Sequence, residues 1–160
     1  MSTRSDIIVH RTDGKWHRVY CHWDGYLSHN GEILFTHYNS QDGAEALIKH
    51  GNLSSLAQRC DKPSGHSFTN PAQGCCVYYG RDRGERDQDG LIADSLKNAW
   101  PAKDTWTEFT YVWDSGAWYV ADPDEGPSNG QLILLSDALT GKKTIHPKIK
   151  AFGLTFGRHA

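Results

Sequence analysis

Apolar and polar residues alternate with a period of two in several short stretches of the chain, a pattern typical of half-buried β-strands. Residues 6–10 contain a β-branched apolar run, and residues 16–22 form a second stretch rich in aromatic side chains. Between them, Asp13 and Gly14 supply the residue pair that tight hairpin turns favour. The two stretches therefore predict an antiparallel hairpin near the amino terminus.

The second strand of this hairpin has two chemically different faces, because successive side chains of a strand point to opposite sides. Val19, Cys21 and Trp23 share one face, which we interpret as the core side. Tyr20 and His22 share the other face. We expect that second face to be open to water or to a ligand.

Other stretches extend the predicted sheet. Residues 106–113 and 117–121 flank a turn that contains Asp and Gly, and they predict a second hairpin. Residues 75–79 are a candidate buried strand, and residues 152–156 can supply an edge strand. Residues 60–74 form a long connection without periodicity, and loops of that length are often functional or mobile.

Helical periodicity is confined to short segments. A helix is expected after Asn30, a good helix cap, and a second over about residues 43–50. Residues 91–100 also show helical spacing before Pro101. The pattern predicts a single α+β domain over residues 1–160: a mainly antiparallel sheet built from hairpins, with two or three short helices packed on it. The carboxy-terminal hairpin and tail, residues 101–160, would complete that sheet.

Composition narrows the classes of partner. The 160 residues carry a formal net charge of −2, which argues against binding to duplex nucleic acid. Apolar runs of membrane-spanning length and a signal-like amino terminus are missing, so we expect no membrane partner and a cytoplasmic location. The four Cys and nine His show no metal-ligand spacing. We therefore predict reduced thiols, no metal site and no cofactor.

The segment of residues 20–26 (YCHWDGY) combines the largest side chains of the chain with its most reactive ones. Aromatic rings can stack on a ligand, while imidazole and carboxylate groups can orient hydrogen-bond donors. The predicted ligand-binding residues of this segment are Tyr20, His22, Trp23, Asp24 and Tyr26.

Arg81 and Arg83 add a candidate anion site, because they follow a predicted strand in a loop bracketed by Gly80 and Gly84. Guanidinium groups can make paired hydrogen bonds to phosphate or carboxylate. The acidic residues that alternate with them support an equally good interpretation, in which the segment neutralises itself on a solvated face. We predict that the two arginines join the aromatic segment, with the rings stacking on a base and the arginines holding its phosphate.

Several motifs resemble those of a family of short proteins from bacteriophages and prophages. They are TRS at residues 3–5, YCHWDGY at 20–26, GNLSSL at 51–56 and GRDRGE at 80–85, within a similar region that covers about residues 2–87. The resemblance implies a phage origin and a compact protein of the bacterial host cytoplasm. It implies no particular activity and no catalytic residue.

Small phage proteins often bind a host protein or sequester a signal of host defence, so the leading hypothesis is a non-enzymatic accessory protein. Its partner would be a host (defence) factor or a nucleotide-like small molecule, and a homodimer is left open. One alternative is a hydrolase or nuclease-like enzyme acting on a phosphate-containing substrate, with His22 as general base and Asp24 orienting it. Another is a pure protein–protein inhibitor.

Overall fold

The computed structural model describes residues 2–102 and 105–142, together with the backbone of residues 149–150. Its centre is a mixed sheet with nine strands in the described residues. In chain order they are β1 (Ser5–His10), β2 (Trp16–Cys21), β3 (Leu53–Ser55), β4 (Val77–Tyr78), β5 (Leu91–Ala93), β6 (Phe109–Asp114), β7 (Ala117–Ala121), β8 (Gln131–Leu134) and β9 (Ile149–Lys150).

The predicted amino-terminal hairpin forms the middle of this sheet. Strand β1 pairs antiparallel with β2, and Asp6 lies opposite Tyr20. On its other side β1 pairs parallel with β6, where Asp6 lies opposite Thr110. This parallel pairing joins two hairpins that are about a hundred residues apart in the chain.

The full strand order is β4-β3-β2-β1-β6-β7-β8-β9, and β5 pairs with β2 beside this path. Six pairings are antiparallel, and the parallel ones are β1 with β6 and β2 with β3. The predicted α+β class is confirmed, with a sheet that is mixed rather than purely antiparallel.

Short helices connect the strands. They are α1 (Glu32–His37), α2 (Gln41–Ile48), α3 (Tyr79–Arg83), α4 (Leu96–Ala99) and α5 (Leu135–Leu139), with a π-helical turn at Leu27–Gly31 and a 3-10 turn at Pro127–Asn129. The described residues thus contain five α-helices where the sequence predicted two or three. None of the described helices has both the length and the apolar character needed to cross a bilayer.

The sheet separates two hydrophobic clusters. On its first face, Ile7 and Val9 of β1 pack with residues of α1, α2 and α5. On its second face, Ile8 and Trp16 pack with Leu96 and Ala99 of α4. The first face carries the larger cluster, so much of the second face beyond α4 is available to polar residues.

Three local expectations are wrong, each for a tertiary reason. Residues 91–100 form β5 and then α4 rather than one helix, because β5 pairs with β2. Trp23 lies past the end of β2 and is 44% exposed, so it does not belong to the core. Asn30 is fully buried, and its side-chain amide donates to Ser5 Oγ instead of capping α1. The predicted strand at residues 152–156 falls outside the described residues.

Candidate functional site: a polar cleft on the second face of the sheet

A cleft of about 600 Å³ opens on the second face of the sheet. Its floor is formed by β1 and β2, and its walls come from residues 87–91, from Pro101 and from residues 105–107. The lining residues are Arg4, Asp6, Arg18, Tyr20, Asn52, Asp87, Gly90, Leu91, Pro101, Thr105, Trp106 and Thr107. The size is that of a small-molecule site.

Asp6 is the acidic residue of the floor. It precedes Ile7 and Ile8 in β1, and it is only 5% exposed. Burial raises the pKa of its carboxyl group from 3.8 to about 6, although a hydrogen bond with Thr107 and the charge of Arg18 oppose the rise. The fully buried hydroxyl group of Thr110, opposite Asp6 in β6, has no hydrogen-bond partner among the described residues.

Arg4 and Tyr20 begin a hydrogen-bonded chain that leaves the cleft. Arg4 Nε donates to Tyr20 Oη over 3.0 Å, and a second hydrogen bond of 2.7 Å joins Tyr20 Oη to His22 Nδ1. Partial burial and the charge of Arg4 lower the pKa of His22 below its ordinary value of 6.5. The lowered pKa favours the neutral form of His22 at pH 7.

Arg18 and Asn52 are held in place by backbone contacts. Arg18 Nη1 donates to the carbonyl oxygen of Ala99 over 2.8 Å, which ties β2 to the end of α4. Asn52 Oδ1 accepts from the backbone N–H of Tyr20 over 2.9 Å. Its amide donates in turn to Gln88 Oε1 at 3.0 Å, which connects the floor to the neighbouring wall.

Two glycines allow that wall to approach the sheet closely. Gly51 and Gly90 have φ values of +82° and +84°. A Cβ atom on Gly51 would lie 1.9 Å from the carbonyl oxygen of Gln88, and one on Gly90 would lie 2.3 Å from that of Arg18. Larger residues would push the wall away from the floor, so the shape of the cleft depends on both glycines.

Trp106 is the most exposed large apolar side chain of the described chain, at 80%. It stands at the rim of the cleft, and Leu91, which is 41% exposed, also lines it. Tryptophan is usually largely buried. An indole ring at a rim of this kind offers an exposed stacking surface next to polar groups.

The sequence-predicted aromatic segment meets this cleft through one residue. Tyr20 lines it, and His22 and Trp23 follow outside it in a row of ring contacts at 6.0 and 4.6 Å. Tyr26 is 40% exposed and contacts His29. Asp24 adopts a φ of 57°, and no hydrogen bond joins it to His22 among the described side chains.

Arg81 is part of a buried network outside the cleft. Its guanidinium makes two hydrogen bonds to the carboxylate of Asp82, at 2.8 and 3.1 Å, and also donates to the carbonyl oxygens of Cys60 and Cys76. His66 Nε2 lies 3.1 Å from Asp82 Oδ2, and both of these side chains are fully buried. Because His66 Nδ1 accepts from the backbone of Ala72, Nε2 carries the proton that bonds Asp82.

The network explains the long connection at residues 60–74. His66 and the contact of Arg81 with the carbonyl of Cys60 fasten this loop onto α3. Arg83 stacks over the rings of Phe68 and Tyr79 and forms an ion pair with Glu85. The arginine segment therefore organises its own part of the fold, and neither Arg81 nor Arg83 lines the cleft.

Two of the four cysteines, Cys21 and Cys76, are buried and have raised thiol pKa values, which argues against either one as an activated nucleophile. All four are free thiols. Burial raises the pKa of Cys21 to about 12 and that of Cys76 to about 11, so both are protonated at neutral pH. No group of three or more potential metal ligands converges within the described part of the chain.

A second cavity of about 660 Å³ lies at the other end of β2, beside α2. It is lined by charges of both signs, among them Arg11, Asp42 and Lys49. Its acid Glu45 already accepts from the backbone of Thr12 and from Gln41. The main acid of this cavity is thus already hydrogen-bonded within the fold.

Comparison of the chain with protein-family models, with curated proteins and with solved structures gave no match. The fold and the cleft thus define the class no further than an α+β protein with a polar cavity of ligand size. The phage resemblance stays a prediction from sequence motifs. Three of those motifs contribute a residue each to the cleft, namely Arg4, Tyr20 and Asn52.

Sequence reasoning missed most of the cleft. Asp6 and Arg18 were each placed on a predicted strand but not singled out, and Trp106 was assigned to a hairpin. One signal was present: an acid directly before a β-branched run is unusual in a strand that lies inside a sheet. The parallel pairing of β1 with β6, which places Trp106 and Asp6 at the same cleft, has no local signal in the sequence.

Proposed function

We propose that the protein is a non-enzymatic binding protein whose polar cleft takes a nucleotide-like anion, and that it acts as a phage accessory protein by sequestering such a molecule. The observation that carries the proposal is the meeting of two arginines, an amide side chain and an exposed indole ring around one cavity of about 600 Å³. Such a set of side chains complements a nucleotide. The arginines suit its phosphate, the amide suits the polar edge of its base, and the indole suits the flat face of the base.

The arginines retain bonding capacity. Hydrogen bonds within the described chain use Nε of Arg4 and Nη1 of Arg18. A guanidinium group has five N–H donors in a fixed plane, so each arginine keeps donors for a phosphate or carboxylate. Asp6 and Asp87 also line the cleft. The balance of two cations and two acids favours a ligand with few negative charges over a polyphosphate.

Trp106 supports the aromatic part of the proposal. A base stacked on an exposed aromatic side chain contributes about 1–3 kcal/mol of binding free energy. This holds for any base, because every base has a flat π-face. Trp106 is free to provide such a surface because 80% of it faces solvent. The neighbouring Leu91 extends the apolar rim.

The arrangement of His22 supports a binding role over the enzymatic alternative. A general base oriented by an acid requires contact between the two groups. His22 Nδ1 is instead hydrogen-bonded to Tyr20 Oη, and no hydrogen bond connects His22 with Asp24 in the described residues. The hydrolase hypothesis would need both side chains to rearrange.

The proposal is tested by incubating the protein with mononucleotides, cyclic dinucleotides and NAD-derived nucleotides, then removing free ligand, heating the protein and analysing what is released. We expect a nucleotide to return chemically unchanged. Release of a new product would instead support the enzyme alternative. Retention of no nucleotide, together with co-purification of one host protein, would support the protein–protein inhibitor.

Two tryptophan variants locate the site. We expect Trp106→Ala to weaken binding of the retained nucleotide about 5- to 100-fold in calorimetry, because a stacking surface is lost. Trp23→Ala is the matched control, since Trp23 is also exposed and lies outside the cleft. The opposite result, with loss of binding in Trp23→Ala alone, would place the site on the aromatic segment and refute the cleft.

A further inference from the structure

We propose that Asp6, the buried carboxylate of the cleft floor, makes the cleft selective for a guanine base by accepting hydrogen bonds from its two adjacent N–H groups. This inference rests on the proposed function, and it names the class of nucleotide that the cleft takes. Asp6 would be a specificity-determining residue and not a catalytic one.

The position of Asp6 gives its carboxylate more acceptor sites than partners. A carboxylate has two oxygens and room for about four hydrogen bonds. Within the described chain, the hydrogen-bond partner of Asp6 is the side chain of Thr107, and Arg18 lies close enough to act through its charge. Asp6 is 95% withdrawn from solvent yet still lines the cavity, so a ligand is the natural source of further donors.

A second buried polar group without a hydrogen-bond partner lies close to Asp6 in the sheet. The hydroxyl group of Thr110, directly opposite in the parallel strand β6, is fully buried and unpartnered among the described atoms. Buried polar groups normally find a partner, because leaving one without a hydrogen bond costs about 1–3 kcal/mol. Thr110 does not line the cleft itself, so the acceptor capacity that a ligand can reach is that of Asp6.

The edges of the four common bases differ in what they offer to a carboxylate. Guanine presents two donors side by side, N1–H and N2–H, whose spacing matches the two oxygens. Adenine and cytosine present a donor next to an acceptor, and uracil presents one donor between two carbonyl oxygens. An acceptor that faces an ionised carboxylate is repelled, so guanine is the base that fits.

Charged groups around Asp6 are compatible with this pairing. Arg4 lies just before β1, Arg18 and Tyr20 come from β2, and Asp87 comes from the wall. Arg18 favours the ionised form of Asp6. The ionised carboxylate is the form that accepts two hydrogen bonds, and it predominates at pH 7.5.

The test is calorimetry at pH 7.5 with three probes that share ribose and one phosphate: GMP, IMP, which keeps N1–H but lacks the amino group, and AMP. We expect the affinities to fall in the order GMP, IMP, AMP, with GMP bound about 10- to 100-fold more tightly than AMP. The comparison of GMP with IMP measures the contribution of N2–H, and the comparison of IMP with AMP measures that of N1–H.

Asp6→Asn is the decisive variant. An amide offers one acceptor and one donor, which suits adenine rather than guanine. The preference for GMP should therefore disappear or reverse toward AMP in this variant, with the fold checked by thermal denaturation. Asp42→Asn, the same chemical change beside the second cavity, should leave the GMP preference unchanged.

The outcomes separate this inference from the proposed function. Equal binding of GMP and AMP, or a GMP preference that survives Asp6→Asn, would overturn the role of Asp6 while leaving a nucleotide-binding cleft. If none of these probes or the wider nucleotide panel binds, the proposed function fails and the inference fails with it.

Discussion

Asp82 and Asp6 are both withdrawn from solvent beside arginines, and their surroundings differ in one respect. Asp82 receives two hydrogen bonds from Arg81, one from the backbone of Tyr78 and one from His66. Asp6 has Thr107 as its hydrogen-bond partner among the described residues and Arg18 nearby. The first carboxylate is saturated by the fold, and the second keeps acceptor capacity beneath a cavity.

The pKa values move in opposite directions for this reason. Burial alone would raise the pKa of Asp82, but its hydrogen bonds from Arg81, Tyr78 and His66 lower it below the ordinary value of 3.8. For Asp6, burial prevails and raises the pKa to about 6. An arginine-rich motif can thus stabilise the fold, while a less conspicuous acid retains the hydrogen-bonding capacity that a ligand needs.

The largest effect on stability is expected from a substitution that breaks the hydrogen-bond network around Asp82. Asp82→Asn should lower the free energy of unfolding by about 3–5 kcal/mol, because the change leaves the largely buried charge of Arg81 without its partner. Urea denaturation measures the loss. Glu85→Gln, which removes the exposed partner of Arg83, is the matched control and should cost less than about 1 kcal/mol.

A different result would reassign the arginine segment. If Asp82→Asn changed stability no more than Glu85→Gln and abolished nucleotide binding, the network would be a ligand site and not a structural fastening. The interpretation of Arg81 as a structural residue would then be wrong.

A smaller change of opposite sign in the free energy of unfolding is expected when Asp6 is substituted. The pKa of Asp6 is raised in the fold, so its stabilising contribution is complete below pH 3.8 and is lost as pH rises through about 6. Asp6→Asn removes this pH-dependent loss of stability, because an amide does not ionise. The variant should be more stable than the parent at pH 8 by up to about 3 kcal/mol, since the pKa rises by about two units.

The measurement is the difference in unfolding free energy between Asp6→Asn and the parent at several pH values from 4 to 8. The difference should shrink toward zero as pH falls to 4. A difference that stays constant across this range would show that Asp6 does not titrate in the way described. A destabilised variant at pH 8 would show that its ionised carboxylate is already satisfied within the fold.

Local patterns predicted much of the fold. Alternation along residues 6–10 and 16–22 located the central hairpin, and the turn at residues 114–116 located a second one. The long-range strand pairings have no comparable local pattern in the sequence. Strand β5 interrupts a segment with helical spacing, since pairing with β2 overrides local preference, and β1 meets β6 in parallel across a hundred residues.

The candidate site was predicted less well, for the same physical reason. Tyr20 was singled out because it sits in a conspicuous motif, and it does line the cleft. Arg81 stood out equally, yet its neighbour in sequence, Asp82, satisfies it. Asp6, Arg18 and Trp106 come from distant segments, and their proximity depends on strand pairing that sequence spacing does not reveal.

We propose that the ligand occupies the cleft above Asp6 and not the aromatic segment beyond it. The most direct measurement is a nitrogen–proton NMR titration with GMP that follows the indole N–H signals, assigned through Trp106→Phe and Trp23→Phe. We expect the Trp106 signal to shift progressively until the protein is saturated with GMP, while the Trp23 signal stays in place. A shift of Trp23 with an unmoved Trp106 would contradict it.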